Sequence, residues 1–551
     1  MHETDLSEPR TYQPCPAPVL ELGRDLAARG HVIEFATLEG QEHWIDTDEY
    51  GFVSRVYLLG QGPTEEQLEA HYRRSQQWDV SRGISSLMES KYQFDSFWPQ
   101  SYHGLRRIMD DASTRPDMLV ADFFVDAVRD VRVEYGVPIA VVWPGMPFGM
   151  LPCSYIPGQP GFQIPGTLTS EDASMGLRVR NELVVACGLG SIVKWMRWTR
   201  RMRRANGVFY PPRRMRKPDY LVLVNSFFGL EVARDLPPTC ALVGPLLSPT
   251  SPPLDEECRA FLEKHRGVLY IALGTHVIVS HVDAVKIISG VLRLLDEGTL
   301  DGVIWAIPHK SRQDLDVNYT FHTSKSDAVH LSSILSNTHP SFHTTPFAPQ
   351  RAILSHPSTK LYLSHGGSSS ANEALYHGVP MLVLGFFFDQ LANSTRLVAA
   401  GVAEDLDKAS FTADEVHSKA RGILCSGENG RGEHYQRNVL RMKRIAHVAA
   451  RRREVAADLV DEVLYDDELR FSNDRRRELR PMHLQTADMR MPVYKARNWD
   501  MYAVCALGVS VVVGGMGFLG RTAWVSRGEL RDGMREMVRG VGGCWGMFAK
   551  R

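Results

Sequence analysis

The sequence predicts an α/β protein with two doubly wound, Rossmann-like domains facing each other across a cleft and a transmembrane helix near the C-terminus. Three observations carry this. Short apolar runs of strand length alternate with helical stretches in two successive series. A proline-rich segment, Ser248-Pro-Thr-Ser-Pro-Pro253, separates the series. Met501–Leu519 is a run of nineteen residues without a charge, close to the roughly 20 that cross a bilayer as a helix.

Along the first series, Val19–Arg29 has helical periodicity and His31–Thr37 reads as a strand. Met118–Phe124, Ile139–Val142, Tyr220–Asn225 and Ala241–Val243 are further strand-type runs. The prolines of the linker lack the N–H that a sheet ladder needs. The pattern restarts with strands at Val268–Leu273, Gly302–Ile307, Phe342–Thr344, Leu361–Ser364 and Met381–Leu384, with helices over Ala284–Leu295 and Ser369–His377. A long helical stretch follows from Glu433 to Tyr465. The expected segments are an N-terminal Rossmann-like domain at 1–247, a linker at 248–262, and a C-terminal Rossmann-like domain at 263–470. A juxtamembrane segment at 471–499, a span at 500–520 and a basic tail at 521–551 complete the chain. Ligands of such folds bind at the carboxyl ends of the strands.

Lys+Arg number 63 against 64 Asp+Glu, a net charge of −1, which excludes function by bulk charge. The eight cysteines include no C-x-x-C pair, which excludes a zinc ribbon and a dense disulfide framework. Lys194–Lys217 departs from neutrality, with ten Lys/Arg, no acid, and Trp195, Trp198, Phe209 and Tyr210 among them. Without a nucleic-acid fold signature, a membrane-surface patch or a solvated face is preferred. Trp499 and Tyr502 at one edge of the apolar run and Trp524 beyond the other suit the interface of a bilayer. The five glycines from Gly508 to Gly520 would weaken a helix in water. Gly515-Met-Gly517-Phe-Leu-Gly520 reads as a dinucleotide fingerprint but lacks the βαβ context. Arg521, Arg527, Arg531, Arg535 and Arg539 follow the run and favour a cytosolic tail. That orientation puts the catalytic body in the lumen, yet Met1–Pro18 has no apolar run of a secretory signal.

The chemistry concentrates between Phe347 and Asn393. A buried strand ends in His365-Gly366-Gly367, and Ser368-Ser369-Ser370 open a helix. Glycines let backbone approach a ligand, serines donate to oxygen, and the helix N-terminus presents free N–H groups and a positive dipole. These make a phosphate cradle, and Gly274-Thr275 at the end of Val268–Leu273 makes a second. Glu373 is placed to grip a vicinal diol. Asp389-Gln390 suits sugar hydroxyls. Phe347 offers a face for a base, and Gln350 can bond base or ribose; alone, Phe347 reads more readily as core. Together the set suits a nucleotide sugar.

The stretch resembles the signature of the family-1 UDP-glycosyltransferases, W-x-P-Q, H-x-G-x-x-S-x-x-E, G-V-P and D-Q-x-x-N. Here it stands as Phe347-Ala348-Pro-Gln350, His365 through Gly367 and Ser370 to Glu373, Gly378-Val-Pro380, and Asp389-Gln390 to Asn393. The resemblance implies a GT-B fold with UDP-sugar in the C-terminal domain. It implies Phe347 on uracil, Gln350 and Glu373 on ribose, His365, Ser369, Ser370 and Thr275 on the diphosphate, and Asp389 and Gln390 on the sugar. UDP-sugar is then a co-substrate, with no resident cofactor and no metal. The expected acceptor is a lipophilic hydroxyl compound such as a sterol, lipid or phenolic. The run before the span is similar to the juxtamembrane region of the animal enzymes, which implies a single-pass protein of the endoplasmic reticulum.

Family members invert the anomeric centre with a His base that an Asp orients. Asp122 matches the Asp, but Cys15 falls where the His belongs, and no strand-length apolar run precedes it. Three explanations compete: an N-terminus lacking its first strand and His, a relative that binds UDP-sugar without efficient transfer, or another base. Cys15 is the weakest of these, since an ordinary thiol titrates near pH ~8.5.

Overall fold

The computed structural model describes residues 16–45, 48–79, 84–147, 153, 173–211, 217–322, 328–425, 431–472 and 477–548. The expected base position, Cys15, lies outside them. The chain divides into two compact units, Met1–Leu484 and Gln485–Arg551.

The first unit begins with α1 (Ala17–Ala28), β1 (Ile33–Thr37), β2 (Val53–Leu58), α2 (Glu65–Gln76), α3 (Ile84–Asp95), α4 (Trp98–Asp110), β3 (Leu119–Asp122) and α5 (Ala127–Tyr135). It continues with β4 (Ile139–Trp143), α6 (Met175–Cys187), α7 (Leu189–Ala205), β5 (Leu221–Val224) and β6 (Cys240–Leu242). Strands β3 to β6 pair in sequence as a four-stranded parallel sheet, while β1 and β2 form a separate parallel pair. Helix α1 touches both β1 and β3. β4 and β5 are apolar along almost their whole length because helices cover both faces.

After α8 (Glu256–Lys264) come β7 (Val268–Ala272), α9 (His281–Asp296), β8 (Gly302–Ala306), α10 (His309–Gln313), β9 (Thr320–Phe321), β10 (Val329–His330), α11 (Leu331–Leu335) and β11 (Phe342–Thr345). Then follow α12 (Gln350–Ser355), β12 (Thr359–Ser364), α13 (Ser368–His377), β13 (Met381–Gly385), α14 (Asp389–Ala399), β14 (Ala403–Asp407) and α15 (Ala413–Leu424). A six-stranded parallel sheet runs β11-β8-β7-β12-β13-β14. The chain direction across it reverses beside β7 and β12, so the loops after these strands open at a switch point. Two apolar cores flank the sheet. One is built around Trp305, Ile271 and Ile288, the other around Tyr270, Tyr362 and Met442.

The long helical stretch is two helices, α16 (Arg431–Ala449) and α17 (Arg453–Arg470), joined by a 3-10 turn. Ala456, Ala457, Val460 and Val463 of α17 pack with Leu22, Val142 and Leu223 of the N-terminal layer. Arg453 pairs with Asp25 at 2.6 Å and Arg29 with Asp461 at 2.7 Å. The C-terminal half therefore ends on the N-terminal sheet.

The second unit holds α18 (Ala487–Arg490), α19 (Val493–Ala496) and α20 (Trp499–Phe548). Trp499–Gly540 is long and apolar enough to cross a membrane, with mean hydropathy 2.0 in its most apolar window and none of that window buried. The helix continues well past residue 520, because the Arg-, Glu- and Met-rich extension has good helix formers and no proline.

Candidate functional site

The loops after β7 and β12 meet around one imidazole. Gly274 has φ +77°, and a Cβ there would sit 2.7 Å from the His365 ring. A Cβ on Gly367 would sit 2.5 Å from His365 Nε2. Only glycine on both sides leaves room for His365. Burial, reinforced by His276, lowers its pKa to about 4, so the ring is neutral at physiological pH and can donate without carrying charge. Gly367 is the N-cap of α13 and offers no side chain to its first turn. The amides that open this helix are left for a ligand. Thr275 and Ser369 are exposed beside them, and Ser370 is buried.

Glu373 lies one turn into α13. Gln350 Nε2 donates to its Oε2 at 2.6 Å, and Gln350 Oε1 accepts from the Tyr362 hydroxyl at 2.8 Å and the Tyr270 hydroxyl at 3.4 Å. Tyr270 and Tyr362 are register partners on β7 and β12 and their rings stack. The two tyrosines fix the amide orientation of Gln350, which in turn aims the carboxylate. Burial raises the Glu373 pKa, and the Gln350 bond partly offsets it. A donor diol would complete the carboxylate's hydrogen bonding. Phe347 is 59% exposed, which excludes the core reading, and Ala348 beside it is buried.

Asp389 Oδ2 accepts from Ser368 Oγ at 2.8 Å and from Asn393 Nδ2 at 2.9 Å. This ties the head of α14 to the head of α13. Gln390 is buried, and its Oε1 accepts from the amides of Phe386 and Phe387. That leaves only its N–H groups to meet a hydroxyl. Asn393, within an N-x-T sequence, is 3% exposed with its Nδ2 held by Gly366 O, so it is closed to glycosylation. Arg396 pairs with Glu231 from the N-terminal half and with Asn393 Oδ1. Glu231 Oε1 also accepts from the Met146 amide at 3.2 Å. Asn372 Nδ2 donates to Asn225 O at 2.9 Å. These two buried links hold the two sheets together beside the cradle.

Asp122 ends β3 on the N-terminal side. Its Oδ1 accepts from the Phe124 amide at 3.0 Å, and burial raises its pKa to about 7. Among the described residues no imidazole bonds this carboxyl. Rings run from it across the cleft: Phe124 stacks on Phe94 at 3.9 Å, Phe94 meets Phe388 at 5.9 Å, and Phe388 meets Trp78 at 5.4 Å. Phe388 has φ 55°, a strained conformation for an aromatic residue that aims the loop just before Asp389. The structure thus gathers Gly274, Thr275, Gln350, His365, Gly367, Ser370, Glu373 and Asp389 around one strand-end cleft, with Asp122 on the facing sheet. Tyr270, Tyr362, Glu231 and Arg396 were not legible as participants. The two tyrosines alone left a signal, as polar tips in otherwise aliphatic strands.

Residues 213–451 match the family model described as UDP-glucoronosyl and UDP-glucosyl transferase. A UDP-glycosyltransferase of Fusarium mangiferae, FPY2, is 39% identical over 93% of this chain and 95% of its own. The chain belongs to the UDP-glycosyltransferases. A UDP-glycosyltransferase of Talaromyces amestolkiae is 42% identical over 94% of this chain and 96% of its own. Among solved structures, a UDP-glucose: anthocyanidin 3-O-glucosyltransferase in complex with UDP superposes with TM-score 0.53 at 17% identity, covering 82% of this chain and 97% of that one. Os79 from O. sativa in complex with UDP gives 0.52 at 20% identity, covering 79% and 97%. These neighbours establish the GT-B fold. As a UDP-glycosyltransferase, the protein is of the class that moves a sugar from a UDP-sugar donor.

Proposed function

We propose that the protein transfers a hexose, glucose or a related sugar, from UDP-sugar to a hydroxyl of a lipophilic small molecule, with inversion at the anomeric carbon. The half up to residue 247 takes the acceptor, and 263–470 takes the donor. Uracil stacks on Phe347, ribose bonds Glu373 and Gln350, and the diphosphate meets His365, Thr275, Ser369, Ser370 and the head of α13. Asp389 and Gln390 hold the sugar. The acceptor hydroxyl gives up its proton to a base that Asp122 orients, its oxygen attacks the anomeric carbon, and the C–O bond to UDP breaks so that UDP leaves with the electron pair. The neutral imidazole and the α13 dipole take up charge on the departing β-phosphate. No resident cofactor or metal enters this reading. Residues 501–519 anchor the chain as a single pass, in the endoplasmic reticulum.

The supporting observation is the His365 imidazole fenced by Gly274 and Gly367 at the uncapped head of α13. The rings from Phe124 to Trp78 supply an apolar wall between Asp122 and this cradle, which suits a lipophilic acceptor. The test incubates purified protein with UDP-glucose or UDP-glucuronate and a panel of sterols and phenols, and reads UDP release. Transfer to apolar hydroxyl compounds is expected. Release only with polar acceptors would overturn the acceptor class.

A second reading, donor binding without efficient transfer, is favoured by the Asp122 carboxyl, whose one bond among the described residues is to a backbone amide. Tight UDP binding with no acceptor-dependent release would select it.

A further inference from the structure

Helices α6 and α7 form a hairpin on the N-terminal half. Its turn is Gly188, where a Cβ would lie 2.7 Å from Ile84 Cβ; only glycine lets the turn lie this close to α3. The inner face of α7 is tied to α3. Trp195 Nε1 donates to Asp95 Oδ2 at 2.7 Å, Trp198 meets Tyr92 edge-on at 5.0 Å, and Ser191 and Ser85 share a hydrogen bond. Both tryptophans therefore point into the protein. The sequence-level picture of aromatic rings interleaved with cations on one surface does not hold, and with it goes a stacking platform for nucleic-acid bases.

The outer face is different. Lys194, Arg197, Arg200, Arg201 and Arg204 fall within about 120° of the α7 circumference at 100° per residue. All five are exposed, and none has an acidic partner among the described residues. On α6, Met175, Val179 and Leu183 recur every four residues and are 74%, 47% and 51% exposed. On α7 itself, Leu189 and Met196 are also exposed and lie at the edge of the cationic face. Glu182 is the single acidic residue between 173 and 205.

We propose that this hairpin is a membrane-docking surface whose occupant is a bilayer leaflet bearing anionic headgroups. An exposed apolar stripe beside a band of unpaired cations is the composition that inserts side chains at the acyl boundary while Arg and Lys meet phosphate. Two further facts favour lipid over a protein partner. The cations are spread over about three turns of helix rather than gathered around a pocket. The same chain carries a helix able to span a bilayer, so a leaflet is always within its tether. Docking would hold the acceptor-binding half at the surface where lipophilic acceptors partition. The proposal stands apart from the transfer reaction, since the hairpin contributes no residue to the donor cradle.

The test uses full-length protein reconstituted in phosphatidylcholine vesicles containing 20% photoactivatable phosphatidylserine or, in a parallel sample, photoactivatable phosphatidylcholine. Adducts are mapped by mass spectrometry. Adducts are expected on 175–189 as well as on 501–519, severalfold more on 175–189 from the anionic lipid. Arg197→Glu/Arg200→Glu/Arg201→Glu should cut the 175–189 yield at least fivefold, leaving the 501–519 adducts and UDP binding unchanged. Adducts confined to 501–519, or a 175–189 yield indifferent to charge reversal, would overturn the proposal. So would cross-links joining α6 of two copies with no lipid adduct there.

Discussion

The two sheets of this glycosyltransferase differ in how completely they are closed. In the C-terminal six-stranded sheet, β7 and β13 are buried at every residue, and the loop after β7 faces a helix head across one imidazole. On the N-terminal side, β1 alternates between half-buried and exposed, and β2 is half-buried or exposed at all six positions. Among the described residues the pair β1–β2 joins no ladder with β3–β6, though α1 touches both. The same contrast reaches the two carboxylates. Burial raises the pKa of each, but Glu373 is held by Gln350, which two tyrosines fix in turn, while Asp122 has one backbone amide among the described residues. A buried carboxylate with a fixed partner is a finished binding group; one without is a group waiting for its cation or its proton.

The largest effect should come from cutting the link between the two halves. Glu231 is 1% exposed at its side chain and pairs with Arg396. Arg396→Met leaves that carboxylate buried with one amide, at a cost of roughly 3–5 kcal/mol, read as a fall in the denaturant midpoint. An unchanged midpoint would mean that the halves are not coupled here.

Next is Gly274→Ala, which combines a positive φ with a 2.7 Å approach to His365. A loss of about 2–3 kcal/mol and a UDP affinity at least tenfold weaker, on the order of 1.4 kcal/mol, are expected by thermal unfolding with and without UDP. Equal UDP shifts in wild type and variant would remove His365 from the cradle.

Asp122→Asn sharpens the contrast between the carboxylates. The folded pKa, about 7, stands above an unfolded value near ~3.9. Between these values the native state keeps a proton that the unfolded chain has released. Wild-type stability should therefore fall as pH rises from 4 to 7 and level off above it. The amide lacks this dependence, so the variant should gain roughly 2–3 kcal/mol on wild type between pH 5 and 8. The reverse trend would show that a cation meets Asp122. Smallest is Phe347→Trp, which enlarges an exposed face and should tighten UDP no more than about fivefold, on the order of 1 kcal/mol; weakened UDP would take Phe347 away from the base.

Most of the C-terminal sheet was legible because buried parallel strands read as continuous apolar runs, as in Val268–Ala272 and Met381–Gly385. The motif residues from Phe347 to Asn393 were legible because helix-head serines, glycines and a diol carboxylate leave a local pattern. β2 was not, since Val53–Leu58 is largely exposed and mixes Ser and Arg among its apolar residues. Nor was Arg396 with Glu231, because 165 positions separate the partners and neither carries a local signature. Trp195 and Trp198 misled, since sequence shows that cations and rings alternate but not that α3 takes the rings.

We propose Glu373, aimed by Gln350, as the carboxylate that binds the donor nucleotide. Titration calorimetry with UDP on wild type and Glu373→Ala tests it most directly, with unliganded unfolding temperatures as a fold control. Measurable binding by wild type and a Kd raised tenfold to a hundredfold by the substitution, the loss of one or two charged hydrogen bonds of about 1.5–3 kcal/mol, are expected with the fold intact. Equal Kd values for two folded proteins would contradict it.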